Sequence, residues 1–298
     1  MTTEEHVPVP AQLDALERGA AFASLPGWRA IAVGGTDART WLHDLVTADV
    51  AGLQDGRSRR SLLLTPTGRI RADVHVARLG DGFLLLQDPA QSAIDELLGP
   101  YVLSSDVALT DRSDELVVVA VLGRGAVEDG DDADDALILS PSVLGAGRDL
   151  LFPAGDAFER ARVRLVAAGA VEVGPEALET WRIRRGSPRM GADFGRDALP
   201  AEVGLESTID FTKGCFLGQE SVAKVRNLGH PPRVLRAVRS GAPLRPGAHV
   251  LADGHPVGEI TSAATDDRGT DGIARVRWEA ASLALSTEAG PLSLRSER

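Results

Sequence analysis

"RRSLLLTPTGRIRADVHVARLGDGFLLLQD", residues 59–88, holds three strand-like runs separated by two turn signals, Thr65-Pro66-Thr67-Gly68 and Gly80-Asp81-Gly82. The pattern predicts an antiparallel meander. Side chains alternate along a strand, so in the middle run Ile70, Ala72, Val74 and Val76 share one face, and Arg71, Asp73 and His75 share the other. A carboxylate between Arg71 and His75 is placed to hydrogen-bond a bound heterocycle or to assist proton transfer. The plainer reading of that face is the wet side of a half-buried strand.

Working outward, a helix is expected over residues 89–98 and a strand over 115–123. The like-charge run "EDGDDADD", 128–135, reads as a loop. Helices fit 156–169, which ends on Gly169, and the stretch opening at Gly174-Pro175 and running through "EALETWRIRR". Residues 186–212 lack periodicity and are rich in Gly, Pro and Asp, which marks a functional loop more often than filler. A boundary follows Arg226. From residue 233 onward, short strands and frequent turns, with Asp253-Gly254 and Asp271-Gly272 as hairpin signals, predict a small β-barrel or sandwich. The predicted domains are residues 1–232 and 233–298.

With 298 residues, a hydrophobic fraction of 43% and a charged fraction of 25%, the chain has the make-up of a soluble protein of two or more domains. A net charge of -11 disfavours broad binding to nucleic acid or anionic membranes, so direct DNA binding is not expected. No apolar run approaches the ~20 residues of a membrane span, and the acidic N-terminus has no signal-peptide pattern. The single cysteine allows no internal disulfide, and these features together point to the cytoplasm.

That cysteine stands in "TKGCFLGQESVAK", residues 212–224, which also holds both lysines of the chain, Lys213 and Lys224; the other basic residues are arginine. The run from Gly218 suits a helix with Glu220 in its first turn and Glu220–Lys224 as an i,i+4 pair. Cys215 would then precede a helix N-terminus beside Lys213, and both influences favour a thiolate. Against this stand two ordinary readings, Cys215 as a small buried hydrophobe and Lys224 as a solvated partner of Glu220. No HExxH, paired CxxC, GxSxG or Walker pattern occurs, so no metal site is predicted.

"KGCFLGQE", residues 213–220, resembles the K-G-C-[FY]-x-G-Q-E signature of YgfZ-type folate-binding proteins, in an actinobacterial form. These are relatives of the aminomethyltransferase (T-protein) of the glycine cleavage system. "WLHDLVTADVAGLQDGRSRRSLLLTPTGRIRADVHV", "RIRRGSPRMGADF", "VAKVRNLGHPPRVL" and "PVGEITSAA" resemble further stretches of that family. The resemblance implies an α+β fold: two interwoven subdomains and a C-terminal β-barrel, arranged as a cloverleaf around a central hole that binds tetrahydrofolate. It implies a monomer that assists iron–sulfur cluster assembly or repair, partnered by iron–sulfur proteins or assembly factors, with an indirect effect on tRNA modification.

In that reading Lys213 and Cys215 line the hole, with Cys215 as the functional thiol. Gly214 and Gly218 shape the loop, and Gln219 and Glu220 start the helix. Asp73 matches an acid of the T-protein "GG-x-x-DD" stretch, with Ala72 at the other acid position. Glu202 and Arg226 are candidates for pterin or glutamate-tail contacts. Arg184 stands where many relatives carry Glu in R-I-E-x-G. The alternative is a tetrahydrofolate-dependent aminomethyl or one-carbon transferase with Asp73 at its centre; a third reading is a folate-binding adaptor without chemistry.

Overall fold

The computed structural model describes residues 7–103, 105–123, 136–139, 141–144, 147–266 and 269–295. The acidic run 128–135 lies outside them. The chain opens with α1 (Val9–Arg18), β1 (Ala20–Ser24), β2 (Arg29–Gly34) and α2 (Ala38–Leu45). The meander follows as β3 (Ser58–Leu64), β4 (Ile70–Leu79) and β5 (Gly82–Gln87), then α3 (Ile94–Leu98), β6 (Ala108–Asp111) and β7 (Leu116–Gly123). Next come β8 (Leu137–Leu139), β9 (Arg148–Pro153), α4 (Asp156–Ala167), β10 (Val171–Glu172), α5 (Pro175–Arg184) and α6 (Gln219–Leu228). The last strands are β11 (Arg233–Ser240), β12 (His249–Ala252), β13 (His255–Asp266), β14 (Gly269–Arg277), β15 (Leu285–Thr287) and β16 (Gly290–Leu294).

The chain forms two compact units, each discontinuous in sequence. The first comprises Met1–Leu62, Asp73–Leu178 and Thr212–Gly214; the second comprises Leu63–Ala72, Glu179–Phe211 and Cys215–Arg298.

The first unit is built on two five-stranded sheets, ordered β10-β1-β7-β9-β8 and β3-β4-β5-β2-β6. The chain enters the first sheet at β1, leaves for all of the second, and returns at β7, which is the interwoven α+β pattern expected. In the first sheet Phe22, Val119, Val121, Leu150 and Phe152 pack on Ala161 and Leu165 of α4, all wholly buried. In the second, Val74 and Val76 of β4 and Leu84, Leu85 and Leu86 of β5 are buried. Asp73 and His75, on the opposite face of β4, are buried as well, so that face is not the wet surface that alternation allowed.

The helix expected over 89–98 shortens to α3 at its last turn. Upstream, side chains take over the backbone groups that a helix needs: Asp88 accepts from the Ala90 N–H, and Gln87 Oε1 from the Ile94 N–H.

The second unit contains the closed barrel β11-β14-β13-β12-β15-β16. Its interior is filled by Val238, Val250, Ile260, Ala274 and Val276, all wholly buried. Asp253-Gly254 makes the tight β12–β13 turn, with φ of 49° and 77°. Asp271-Gly272 is not a turn. The β13–β14 pairing continues to Asp266↔Gly269, so the connection falls at 267–268, outside the described residues, and Asp271 lies inside β14. There its buried carboxylate accepts from Arg239 at 3.1 Å and Arg295 at 2.7 Å, partners remote in sequence that override local turn propensity.

No helix among the described residues is long and apolar enough to cross a membrane.

Candidate functional site

Lys213 is held in the first unit by the end of α2. An α-helix leaves its last four carbonyls without helical N–H partners. At α2 the next two amides are diverted: the Thr47 N–H goes to the Leu62 carbonyl at 3.0 Å, and the Ala48 N–H to Ser61 Oγ at 2.9 Å. The Lys213 ammonium fills the gap. It donates to the carbonyls of His43, Val46 (2.6 Å) and Ala48 (3.0 Å). A cation at a helix C-terminus also complements the macrodipole. Three carbonyls converging on one point suit a compact ammonium with three donors, and arginine's planar fork does not match them.

Within the second unit, Gly218 is the N-cap of α6 with φ of 85°, and a Cβ there would meet the Thr65 carbonyl oxygen at 2.5 Å. Only glycine fits. The same helix start touches the first turn of the meander again, where Ser221 Oγ donates to the Pro66 carbonyl at 2.9 Å. Phe216 is buried, and Gln219 closes the loop: its Oε1 accepts from the Phe216 N–H at 3.3 Å. Gly214, expected to shape the loop as Gly218 does, has open space where a Cβ would stand and a torsion that needs no glycine.

Cys215 is a free, exposed thiol four residues before the first residue of α6, so the reading of it as a small buried hydrophobe does not hold. Glu220 and Lys224 form the expected i,i+4 pair at 2.7 Å on a solvated helix face.

Asp73 accepts two hydrogen bonds from Arg60, Nε to Oδ1 at 2.9 Å and Nη2 to Oδ2 at 2.5 Å. Gln91 clamps its backbone, accepting from the N–H and donating to the carbonyl, both at 2.9 Å. The cation on Asp73 thus comes from the neighbouring strand β3. His75, two residues on, has a pKa pushed down to about 4, first by burial and then by the Arg60 guanidinium, with Asp73 pulling the other way. Its Nδ1 is buried without a hydrogen-bond partner.

Elsewhere in this unit Asp149 is buried, and burial pushes its pKa up to about 7 against hydrogen bonds from the Ser142 hydroxyl and the Val143 N–H. The two groups act oppositely on stability. His75 binds protons less readily folded than unfolded, so its contribution is present above about pH 6.5 and is lost as pH falls toward 4. Asp149 binds its proton more tightly folded, so it destabilises as pH rises from about 4 to 7.

Urea midpoints across this range, relative to the parent protein, are expected to fall with rising pH for His75→Gln. For Asp149→Asn they should rise, the underlying stability difference changing by at most ~1.4 kcal/mol per pH unit in each case. Parallel profiles for the two variants would contradict the assignment.

In the second unit Glu202 Oε2 accepts from the Leu199 N–H at 2.8 Å, capping its own turn. Arg226 is exposed and stacks on Phe211, its guanidinium carbon 4.4 Å from the ring centre. Helix α6 contacts the Pro200–Val203 turn that carries Glu202. Leu199, Phe211, Val222 and Val225 line a small apolar hollow there. Arg184 bonds Asp266 at 2.5 Å and lies 3.7 Å from Asp271, so its charge is matched within the unit.

Sequence reasoning missed a buried polar cluster of this unit. Asp193, with a fully buried side chain, pairs with Arg182 at 2.5 Å and accepts from Thr261 and Ser262, each at 2.7 Å. Arg182 donates further to Glu179 (2.7 Å) and Ser262 (2.9 Å). No group of three or more His, Cys, Asp or Glu placed to hold a metal occurs among the described residues.

Residues 6–128 match the GCVT N-terminal domain family. The aminomethyltransferase of Herpetosiphon aurantiacus is 26% identical over 309 residues, covering 95% of this chain and 85% of that protein. The aminomethyltransferase of Streptomyces coelicolor is 27% identical over 323 residues, covering 98% and 85%. The crystal structure of the glycine cleavage system aminomethyltransferase T from Bartonella henselae superposes with a TM-score of 0.83 at 20% identity, over 98% of this chain and 89% of that one. The fold is therefore that of the aminomethyltransferase, mixed α+β with a C-terminal barrel. The family match covers the N-terminal part of the chain, and the likeness to aminomethyltransferases runs along nearly all of it.

Proposed function

We propose that this chain is a YgfZ-type folate-binding protein that binds tetrahydrofolate and uses Cys215 in assembling or repairing iron–sulfur clusters. The observation that carries the reading is the state of that cysteine. It is free and exposed, while residues on either side of it are fixed, Lys213 by three carbonyls and Phe216 by burial. A thiol held in place and open to approach suits transient capture of a metal or sulfur species. Folate enters through the likeness to aminomethyltransferases. The carboxylate and guanidinium of Glu202 and Arg226 are its proposed contacts, with Gly214 and Gln219 shaping the loop. Residues 1–232 form the proposed folate-binding region and 233–298 the barrel.

Anaerobic calorimetric titration with tetrahydrofolate is expected to show saturable one-site binding that survives Cys215→Ala. The same variant should fail to restore iron–sulfur enzyme activity in cells lacking the protein. No saturation in the millimolar range, or full restoration by Cys215→Ala, would overturn the reading.

The names of the relatives favour a second reading, a tetrahydrofolate-dependent aminomethyl or one-carbon transferase with Asp73 as its acid. In that case Asp73→Asn abolishes transfer and Cys215→Ala leaves it intact.

A further inference from the structure

The first unit carries an open cleft of about 560 Å³, the size of a small-molecule site. Among the described residues its wall is the 52–54 stretch, Arg57, Ser58, Arg59, Arg60 and Pro141. Three of these residues are arginines and none is acidic, in a protein of net charge -11.

The charges of the three arginines are not equally matched. Arg60 is neutralised by Asp73. Arg59 donates to a backbone carbonyl, that of Asp49, at 3.1 Å. Arg57 is exposed and its side chain takes no partner among the described residues. The nearest acids along the chain are turned to other work: Asp49 lies 3.5 Å from His43 Nδ1 and accepts from the Gly52 N–H, and Asp55 accepts from the Gly80 N–H at 2.8 Å. Among the described residues, two guanidinium-bearing side chains therefore line the cleft without a carboxylate partner.

The wall behind them is fixed. The Gly56 N–H donates to the Arg78 carbonyl at 3.0 Å, and the Arg78 N–H to the Arg57 carbonyl at 2.9 Å. Buried Ser58 donates to the Pro141 carbonyl at 2.5 Å. A preorganised backbone carrying guanidinium forks without carboxylate partners is the arrangement that recognises paired oxyanions, because a fork can present two parallel N–H donors.

We propose that this cleft binds a small molecule bearing two or more carboxylate or phosphate groups, with Arg57 and Arg59 as its cations. The cleft size and the overall negative charge direct it to a small polyanion and away from nucleic acid. The proposal rests on residues of the first unit alone and stands or falls without the folate reading.

The test is calorimetric titration of the full-length protein, free of folate, with inorganic pyrophosphate and separately with citrate. At least one should bind saturably at one site and weaken as salt is raised; the probe that binds tells phosphate from carboxylate. Arg57→Ser and Arg59→Ser should each lower affinity about tenfold or more, with unchanged urea midpoints because both side chains are exposed. Arg245→Ser, the same charge change outside the cleft, should bind as the parent does. Failure of both probes to saturate, or parental affinity in the Arg57 and Arg59 variants, overturns the proposal.

Discussion

Replacing Lys213 by methionine should lower the stability of the protein by about 3–5 kcal/mol, seen as a reduced urea midpoint. The estimate follows from what the ammonium does. It serves the carbonyls of His43, Val46 and Ala48 at the end of α2, where the amides that would otherwise approach are committed to Leu62 and Ser61. Methionine has the length and no donor, so three acceptors lose a charged partner together. Lys213→Arg should also be destabilised, because a flat fork cannot aim at three converging oxygens. An arginine variant with parental stability would show that charge alone matters. The expectation that Lys213 serves the reactivity of Cys215 thereby gains a competitor: this lysine has a structural duty that explains its presence in a chain otherwise built with arginine.

Asp193→Ala should be comparably damaging, at about 3–5 kcal/mol. The side chain has no solvent exposure and gathers Arg182, Thr261, Ser262 and the Arg189 N–H. Truncation leaves two hydroxyls and a largely buried guanidinium without their common acceptor, and water cannot reach them to compensate. Arg182 retains Glu179, which bounds the loss. Asp193→Asn should be milder, since the amide oxygen still accepts from the hydroxyls, and the contrast separates lost charge from lost shape. An Asp193→Ala protein within about 0.5 kcal/mol of the parent would mean the cluster is solvated in solution.

Elements governed by local periodicity were legible in the sequence. The three strands of 59–88 stand where alternation and turn residues placed them, and α4, α5 and α6 begin and end close to their predicted limits. The barrel was readable from turn spacing, although Asp271-Gly272 misled, since the partners of Asp271 lie 32 and 24 residues away along the chain. The same distance problem hid the polar clusters. Arg182, Asp193 and Ser262 are joined across gaps of 11 and 69 residues, which no local pattern reports. In the motif KGCFLGQE the two glycines look alike, but the torsion that demands glycine at 218 and not at 214 is a property of the folded backbone.

The interleaving of the two units along the chain has a consequence for how the protein is made. The first unit lacks a part until Gly214 has left the ribosome, and the second holds residues 63–72 from early synthesis while the strands that complete it come after residue 215. Domains usually fold in order as they emerge. Here neither can close on its own schedule. The sheet that holds the meander has all its strands by residue 111, yet residues 63–72 must wait for partners made after residue 178, and a pause or cleavage before the KGCFLGQE loop would leave both units incomplete.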